Sequence, residues 1–358
     1  MILFDDAYRG RRVLVTGHTG FKGSWLSTWL ARLGADVSGI ALDPDTSPSH
    51  WDLLGLGIDS RRLDLRNAAA LREAVQEVRP EVVFHLAAQS LVRRSYRDPL
   101  GTWNTNVMGT ANLLEACRDV GGLRAVVIAT SDKCYQNNEW CWGYRETDPL
   151  GGNDPYSASK AATELLAASY RRSFFAGGEA ALIATARAGN VIGGGDWSED
   201  RLVPDIVRAI AAGAEVQIRS PRATRPWQHV LEPLSGYLLL GARLLRGDDM
   251  FATAWNFGPG PEANLEVATF LEAFAALWPD LRWRAEDMQG PHEAGQLNLD
   301  SARARTELGW RPVWEIGEAI ERTVAWYRHH ATHGLACSEN QVDAFEQDAA
   351  RGDAVWCR

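Results

Sequence analysis

Short, almost wholly apolar runs alternate with stretches of helical spacing through the first half of the chain. Arg12–Thr16, Ala35–Leu42, Val82–Leu86, Ala125–Thr130 and Ala180–Ala186 read as strands. Segments from the loop at 17–23 through about Arg32, near 67–78, near 104–119 and from Tyr156 onward read as helices. Strands that are apolar on both faces are covered on both faces, and strands joined through helices lie parallel. The pattern therefore predicts an α/β fold with a doubly wound parallel sheet. Past Arg187 the character changes. AGNVIGGGDWSEDRLVPD is glycine-rich and polar, and reads as a long functional loop. Helices and short strands then interleave with prolines to about residue 330. The expected organisation is a main domain over 1–187 with 228–258 returning to it, a smaller α/β substrate-binding lobe from 188–227 and 259–333, and a tail or peripheral helix over 334–358.

Composition narrows the class without altering that picture. The 358 residues are 46% hydrophobic and 23% charged, an ordinary balance for a soluble globular chain. No apolar run approaches the ~20 residues of a membrane span. MILFDDAYRGRR places acids before its arginines and has no hydrophobic signal core, so a cytoplasmic protein is expected. The five cysteines (Cys117, Cys134, Cys141, Cys337, Cys357) form no CxxC pair and suit a reducing compartment better than disulfides or structural zinc. None of the eight histidines has ligand spacing, and no metal is expected. A net charge of −9 argues against nucleic acid or anionic membrane as partner. An anionic small ligand would then need a local arginine cluster. The fifteen tryptophans read as packing, with Trp227 set apart by its neighbours Arg225 and His229.

Gly17-x-x-Gly20-x-x-Gly23 follows the first strand directly and opens a helix, with Phe21 and Lys22 inside the loop. Glycines there let the backbone approach a pyrophosphate seated on the helix N-terminus, which makes the sheet Rossmann-type. A carboxylate at the end of the second strand would hold a ribose 2′-hydroxyl and repel a 2′-phosphate. The usual position is Ala41; Asp43, two residues on, either takes that role or caps a turn with Pro44. No arginine lies between Arg32 and Arg61, so NAD is expected over NADP. Asp64-Leu65 either places a carboxylate near the adenine amine or caps the helix starting at Asn67. Small residues in Leu86-Ala87-Ala88-Gln89 allow close backbone approach of the cofactor, or simply end a strand.

Tyr156 and Lys160 are four residues apart, which puts phenol and ammonium on one helix face. A phenol near pKa 10 is a poor base at neutral pH. A neighbouring Lys⁺ and the positive ring of an oxidised nicotinamide would favour the phenolate and let it take an alcohol proton. Ser131, 25 residues before Tyr156, would bond the substrate oxygen. Asp132 adds an acid that alcohol oxidation alone does not require. Ser131-Asp132 as a plain turn or helix cap is the alternative reading.

GxxGxxG, LAAQ at 86–89, Ser131 with Tyr156-x-x-x-Lys160, and LGWRP at 308–312 resemble the extended short-chain dehydrogenase/reductases, the branch that works on nucleotide sugars. Longer stretches are more specific: VTGHTGFKGSWL at 15–26, SDKCY at 131–135, RAGNVIGGGDW at 187–197 and RPWQHVLEPLSGYL at 225–238. Together they resemble the family of CDP-glucose 4,6-dehydratases, over roughly residues 10–330. The resemblance implies a redox-neutral reaction in deoxysugar biosynthesis of the lipopolysaccharide O-antigen kind. Tyr156 takes the O4 proton as C4 gives a hydride to NAD, a C5 proton and the C6 hydroxyl leave as water, and the hydride returns to C6. Asp132, with a pKa raised by burial, is then the acid for O6. In dTDP-glucose relatives the next residue is a glutamate acting as C5 base. Here it is Lys133, which either acts as that base or pairs with Asp132. The resemblance also implies that Asn190 and Arg225 contact the substrate diphosphate, with Arg201, Arg219, Trp227 and His229 nearby. It implies a homodimer packed through the helix near Thr105–Cys117 and the helix carrying Tyr156.

Overall fold

The computed structural model describes residues 1–178, 180–285 and 296–358. Its centre is a parallel sheet of seven strands: β1 (Arg12–Thr16), β2 (Asp36–Ala41), β3 (Asp59–Arg62), β4 (Val82–His85), β5 (Ala125–Ala129), β6 (Leu182–Ala188) and β7 (Ala254–Phe257). Their spatial order is β7-β6-β5-β4-β1-β2-β3. The order reverses between β1 and β4, which opens a crevice beyond the carboxyl ends of those strands.

Alternation along each strand feeds two apolar layers. Val13 and Val15 of β1, with Phe84 of β4, join Trp25, Leu26 and Trp29 of α1 (Phe21–Arg32) on one face. Leu14 and Val83 turn to the other face and meet Leu71 and Val75 of α2 (Ala68–Val78) and Leu113 and Leu114 of α3 (Gly109–Arg118). Both layers are buried, which is why these strands read as continuous apolar runs. β3 carried no such signal. Its sequence, DSRR, is mostly exposed at the sheet edge and pairs with β2 from Ser38↔Asp59 to Ala41↔Arg62. A charged, short edge strand resists further pairing.

Beyond β6, three two-stranded ladders shape the second half: Val191–Ile192 with Gln228–His229, Val216–Ile218 with Trp283–Ala285, and Thr224–Pro226 with Asn264–Glu266. α4 (Pro155–Ser173) precedes β6 and α5 (Leu231–Leu245) packs beside β5 and β6.

The C-terminal segment is not a peripheral tail. Its helix α6 (Ser338–Arg351) lays Val342, Phe345 and Ala349 into the main core at helical spacing. Trp29 Nε1 donates to Glu346 Oε1 at 2.8 Å, and Trp356 stacks on Phe4 with ring centres 4.9 Å apart. Both chain ends thus cover α1, and the polar composition of 334–358 hid an apolar stripe.

Candidate active site

A cavity of about 1180 Å³ runs along the crevice and continues under the loop after β6. Gly17 turns the chain out of β1 with φ +76°, and an added Cβ would stand 2.7 Å from the Ala87 backbone. At Gly23 a Cβ would stand 2.0 Å from the Gly17 carbonyl oxygen. The loop can only be glycine at these two points, because the start of α1 and the end of β4 press against it. Gly20 caps α1; Phe21 and Lys22 begin it, and all face the cavity with Ala87, Ala88 and Gln89. The Gln89 side chain is engaged by the protein itself, accepting from Leu91 N at 2.6 Å and donating to Thr102 Oγ1 at 3.0 Å.

Past the glycine loop the cavity is bounded by Asp43, Asp64 and Leu65. Asp43 is largely exposed and accepts from Arg62 Nε at 2.6 Å. Arg62 reaches Asp43 from β3, a strand that sequence pattern did not reveal. Asp64 is held by Arg66, whose guanidinium lowers its pKa. Asp64 does not cap the following helix; the Asn67 side chain does, accepting from Ala70 N at 3.2 Å.

At the carboxyl end of β5 the chain tightens into a turn over Asp132–Cys134. Ser131 Oγ donates to Asp132 Oδ1 at 2.9 Å and accepts from Lys133 N at 3.2 Å. Asp132 is 4% exposed, and burial raises its pKa against the pull of Lys133, Ser131 and Lys22. A Cβ on Gly189 would stand 3.1 Å from Asp132 Oδ2, so the loop after β6 closes over the carboxyl. Asp154 caps α4 by accepting from Ser157 N at 2.9 Å, which sets Tyr156 in the first turn and Lys160 in the second.

Burial pushes the Tyr156 phenol up to about 12; contact with Ser131 pulls it down, and Asp132 pushes it further up. Lys160 Nζ donates to Ala129 O at 3.3 Å, and burial brings its ammonium down to about 8. Lys22 is likewise lowered to about 8 by burial, then by Arg201, with Asp132 opposing. Lys133 lines the cavity and forms no ion pair with Asp132 among the described residues.

On the substrate side, Asn190, Arg201, Arg219, Arg225 and Trp227 all line the cavity. Arg201 Nη1 pairs with Asp196 Oδ2 at 3.0 Å. Arg219 Nη1 and Trp227 Nε1 are buried without a partner among the described residues, as groups awaiting a ligand would be. His229 does not belong with them. It is fully buried between Trp25 and Trp314, and burial lowers its pKa to about 3. Three arginines that the sequence reading missed, Arg93, Arg94 and Arg97, reach the rim and pair with Asp200, Asp45 and Glu199. Their helix, 92–97, gave too short a pattern to stand out.

The residues present fit a nicotinamide dinucleotide. A glycine cradle without room for a Cβ meets a helix N-terminus, and a Tyr–Lys pair lies beyond it in the same cavity. Among the described residues no group of three His, Cys, Asp or Glu side chains could hold a metal ion, and no helix is long and apolar enough to cross a membrane.

Residues 13–250 match the NAD dependent epimerase/dehydratase family. The chain is 47% identical over 353 residues to the CDP-glucose 4,6-dehydratase of Salmonella typhimurium, covering 96% of this chain and 98% of that protein. It is 31% identical over 328 residues to the UDP-glucose 4-epimerase of Mycolicibacterium smegmatis, covering 89% and 99%. The solved structure of DesIV, a dTDP-glucose 4,6-dehydratase from Streptomyces venezuelae with NAD bound, is similar at a TM-score of 0.73 and 26% identity, covering 89% of this chain and 98% of that one. The match spans the glycine cradle, the Ser–Tyr–Lys group and the loop that closes on Asp132. The chain belongs to the NAD-dependent epimerase/dehydratase family.

Proposed function

We propose that this protein converts CDP-glucose to CDP-4-keto-6-deoxyglucose and water. Gly17, Gly20, Gly23 and Ala87 would hold NAD, which would supply a reversible hydride acceptor for the sugar's C4 and C6. Tyr156 takes the O4 proton, with Ser131 bonding the same oxygen. The protein alone holds this phenol up at about 12, so it becomes a base only when positive charge arrives beside it. Lys160 adds to that charge. The C4 ketone then acidifies the C5 hydrogen and makes the C6 hydroxyl a β leaving group. Lys133 removes the C5 proton and returns one to C5 as C6 is reduced, and Asp132 protonates O6 as the C–O bond breaks. Arg225, Arg219 and Asn190 receive the diphosphate, for which the forked guanidinium is suited.

Asp132 carries this reading. It is a buried carboxyl with a raised pKa, fixed by Ser131 and covered by Gly189, beside the phenol that starts the reaction. A 4-epimerase, the activity named for one relative, has no step that needs such an acid. Incubation of the purified protein with CDP-glucose and with its UDP-, dTDP- and GDP- counterparts tests the proposal. A 4-keto sugar should form fastest from CDP-glucose; a C4 epimer that keeps its C6 oxygen would refute it.

We further infer a homodimer in a reducing, cytoplasmic setting. Leu100, Trp103, Met108 and Leu165 are exposed on the 99–108 segment and α4, an apolar surface that a second copy could cover. All five cysteines are free thiols. Size-exclusion chromatography with light scattering tests the dimer, with Leu165→Glu expected to weaken it.

A further inference from the structure

Under α4 lies a buried polar network that no step above uses. Glu164, one turn past Lys160, is 4% exposed, and its carboxylate is filled with donors. Thr130 Oγ1 donates to Oε1 at 2.5 Å; Thr185 Oγ1 and Arg187 Nη2 donate to Oε2 at 2.7 and 2.8 Å. Arg187 is itself 3% exposed and passes the network on, donating through Nη1 to Tyr135 Oη at 2.7 Å and Glu146 O at 3.1 Å. Tyr135 Oη donates to Asn256 Oδ1 on β7 at 2.8 Å, and Asn256 Nδ2 donates to Tyr144 O and Asp300 O. A carboxylate so fully bonded stays ionised despite burial, and its pKa is lowered.

Lys160 needs such a neighbour. It is 6% exposed, and its one hydrogen bond among the described residues is to Ala129 O at 3.3 Å. The titratable groups that act on it are Glu164 from α4, the Cys134 thiol from the turn after β5, His85 from β4 and Lys22 from α1. Burial keeps His85 neutral and the Cys134 thiol protonated, while Lys22 is a like charge. Among these, Glu164 is the full negative charge.

We propose that Glu164, clamped by Arg187, is a positioning residue for Lys160: its carboxylate is the fixed counter-charge that keeps this lysine an ammonium at working pH. The inference rests on the reading of Tyr156 and Lys160 as the hydride-transfer centre. The Arg187–Tyr135–Asn256 chain anchors that charge to β7, the edge strand of the sheet beside β6.

The chain has three lysines, Lys22, Lys133 and Lys160, so a protein labelled with carbon-13 at lysine Cε gives three signals, assigned by single Lys→Met variants. The experiment titrates these signals with NAD present in the parent, in Glu164→Gln, and in Glu164→Gln/Arg187→Met. The double variant removes the guanidinium that would otherwise be left buried and unpaired. The Lys160 signal should titrate at least about one pH unit lower in both variants. The alkaline limb of CDP-glucose turnover should move with it, at unchanged KM. A double variant that keeps the parent's thermal midpoint and an unmoved Lys160 titration would overturn the proposal. A moved titration in a protein that never turns over CDP-glucose would uphold it and remove the proposed substrate instead.

Discussion

Asp43 Oδ1 accepts a hydrogen bond from Arg62 Nε at 2.6 Å, joining the end of β2 to the end of β3 at the rim of the dinucleotide crevice. The carboxylate that would repel a 2′-phosphate is thus also what occupies an arginine that would attract one. Asp43→Ala should free Arg62 and narrow the preference for NAD over NADP about fivefold, the roughly 1 kcal/mol of an exposed charge pair. Arg62→Ala should leave NAD binding within a factor of two or three. Equilibrium titration with both dinucleotides checks the pair.

Asp132→Asn keeps an acceptor for the Ser131 hydroxyl but has no proton to give O6. C4 oxidation should survive while water loss slows about 10²- to 10⁴-fold, the range for losing a general acid. Rapid mixing with CDP-glucose should show reduced nicotinamide building up in this variant. Tyr156→Phe should show none. Unchanged product release by Asp132→Asn would leave O6 to another acid.

His50, His85 and His229 are each held at about 3, against the usual 6.5, with burial as the main cause. The folded protein refuses protons that the unfolded chain takes up below pH 6.5. The histidines' contribution to stability should therefore hold above about pH 6.5 and fall as pH drops from there toward 3, by up to about 1.4 kcal/mol per pH unit for each histidine. Thermal midpoints between pH 5 and 8 check this. His85, which sits between the Thr16 and Thr110 hydroxyls at 2.7 and 2.8 Å, is the one to replace. His85→Gln should flatten the slope.

Phe345→Ala should destabilise the fold by about 3–5 kcal/mol, the loss for truncating a buried aromatic ring. Phe345 packs on Trp29, Trp314 and Trp356, so the C-terminal helix is structural rather than ornamental. Denaturant melts at pH 7 measure it. A change below about 1 kcal/mol would mean that α6 is loosely docked.

The central sheet was legible because β1, β4 and β5 are apolar on both faces, and the 17–23 loop because Gly17 and Gly23 are forced. β3 was not, since an edge strand of charged residues has no apolar signature, and with it went Arg62. His229 looked functional beside Trp227, yet a histidine between two tryptophans reads the same in sequence as one in a cleft. One signal was present and unused. The chain carries 34 arginines and three lysines, and every lysine lines the cavity. Arginine keeps its charge in any setting; lysine is the compact ammonium that responds to burial and proton transfer. Counting lysines alone would have marked the site.

The most direct measurement follows one hydrogen. CDP-glucose deuterated at C4 is turned over by the NAD-loaded protein in ordinary water without added oxidant. Deuterium at C6 of a 4-keto-6-deoxy product is the result expected if one cofactor lends and recovers the same hydride. Deuterium left on the nicotinamide, with turnover dependent on an added oxidant, would contradict it.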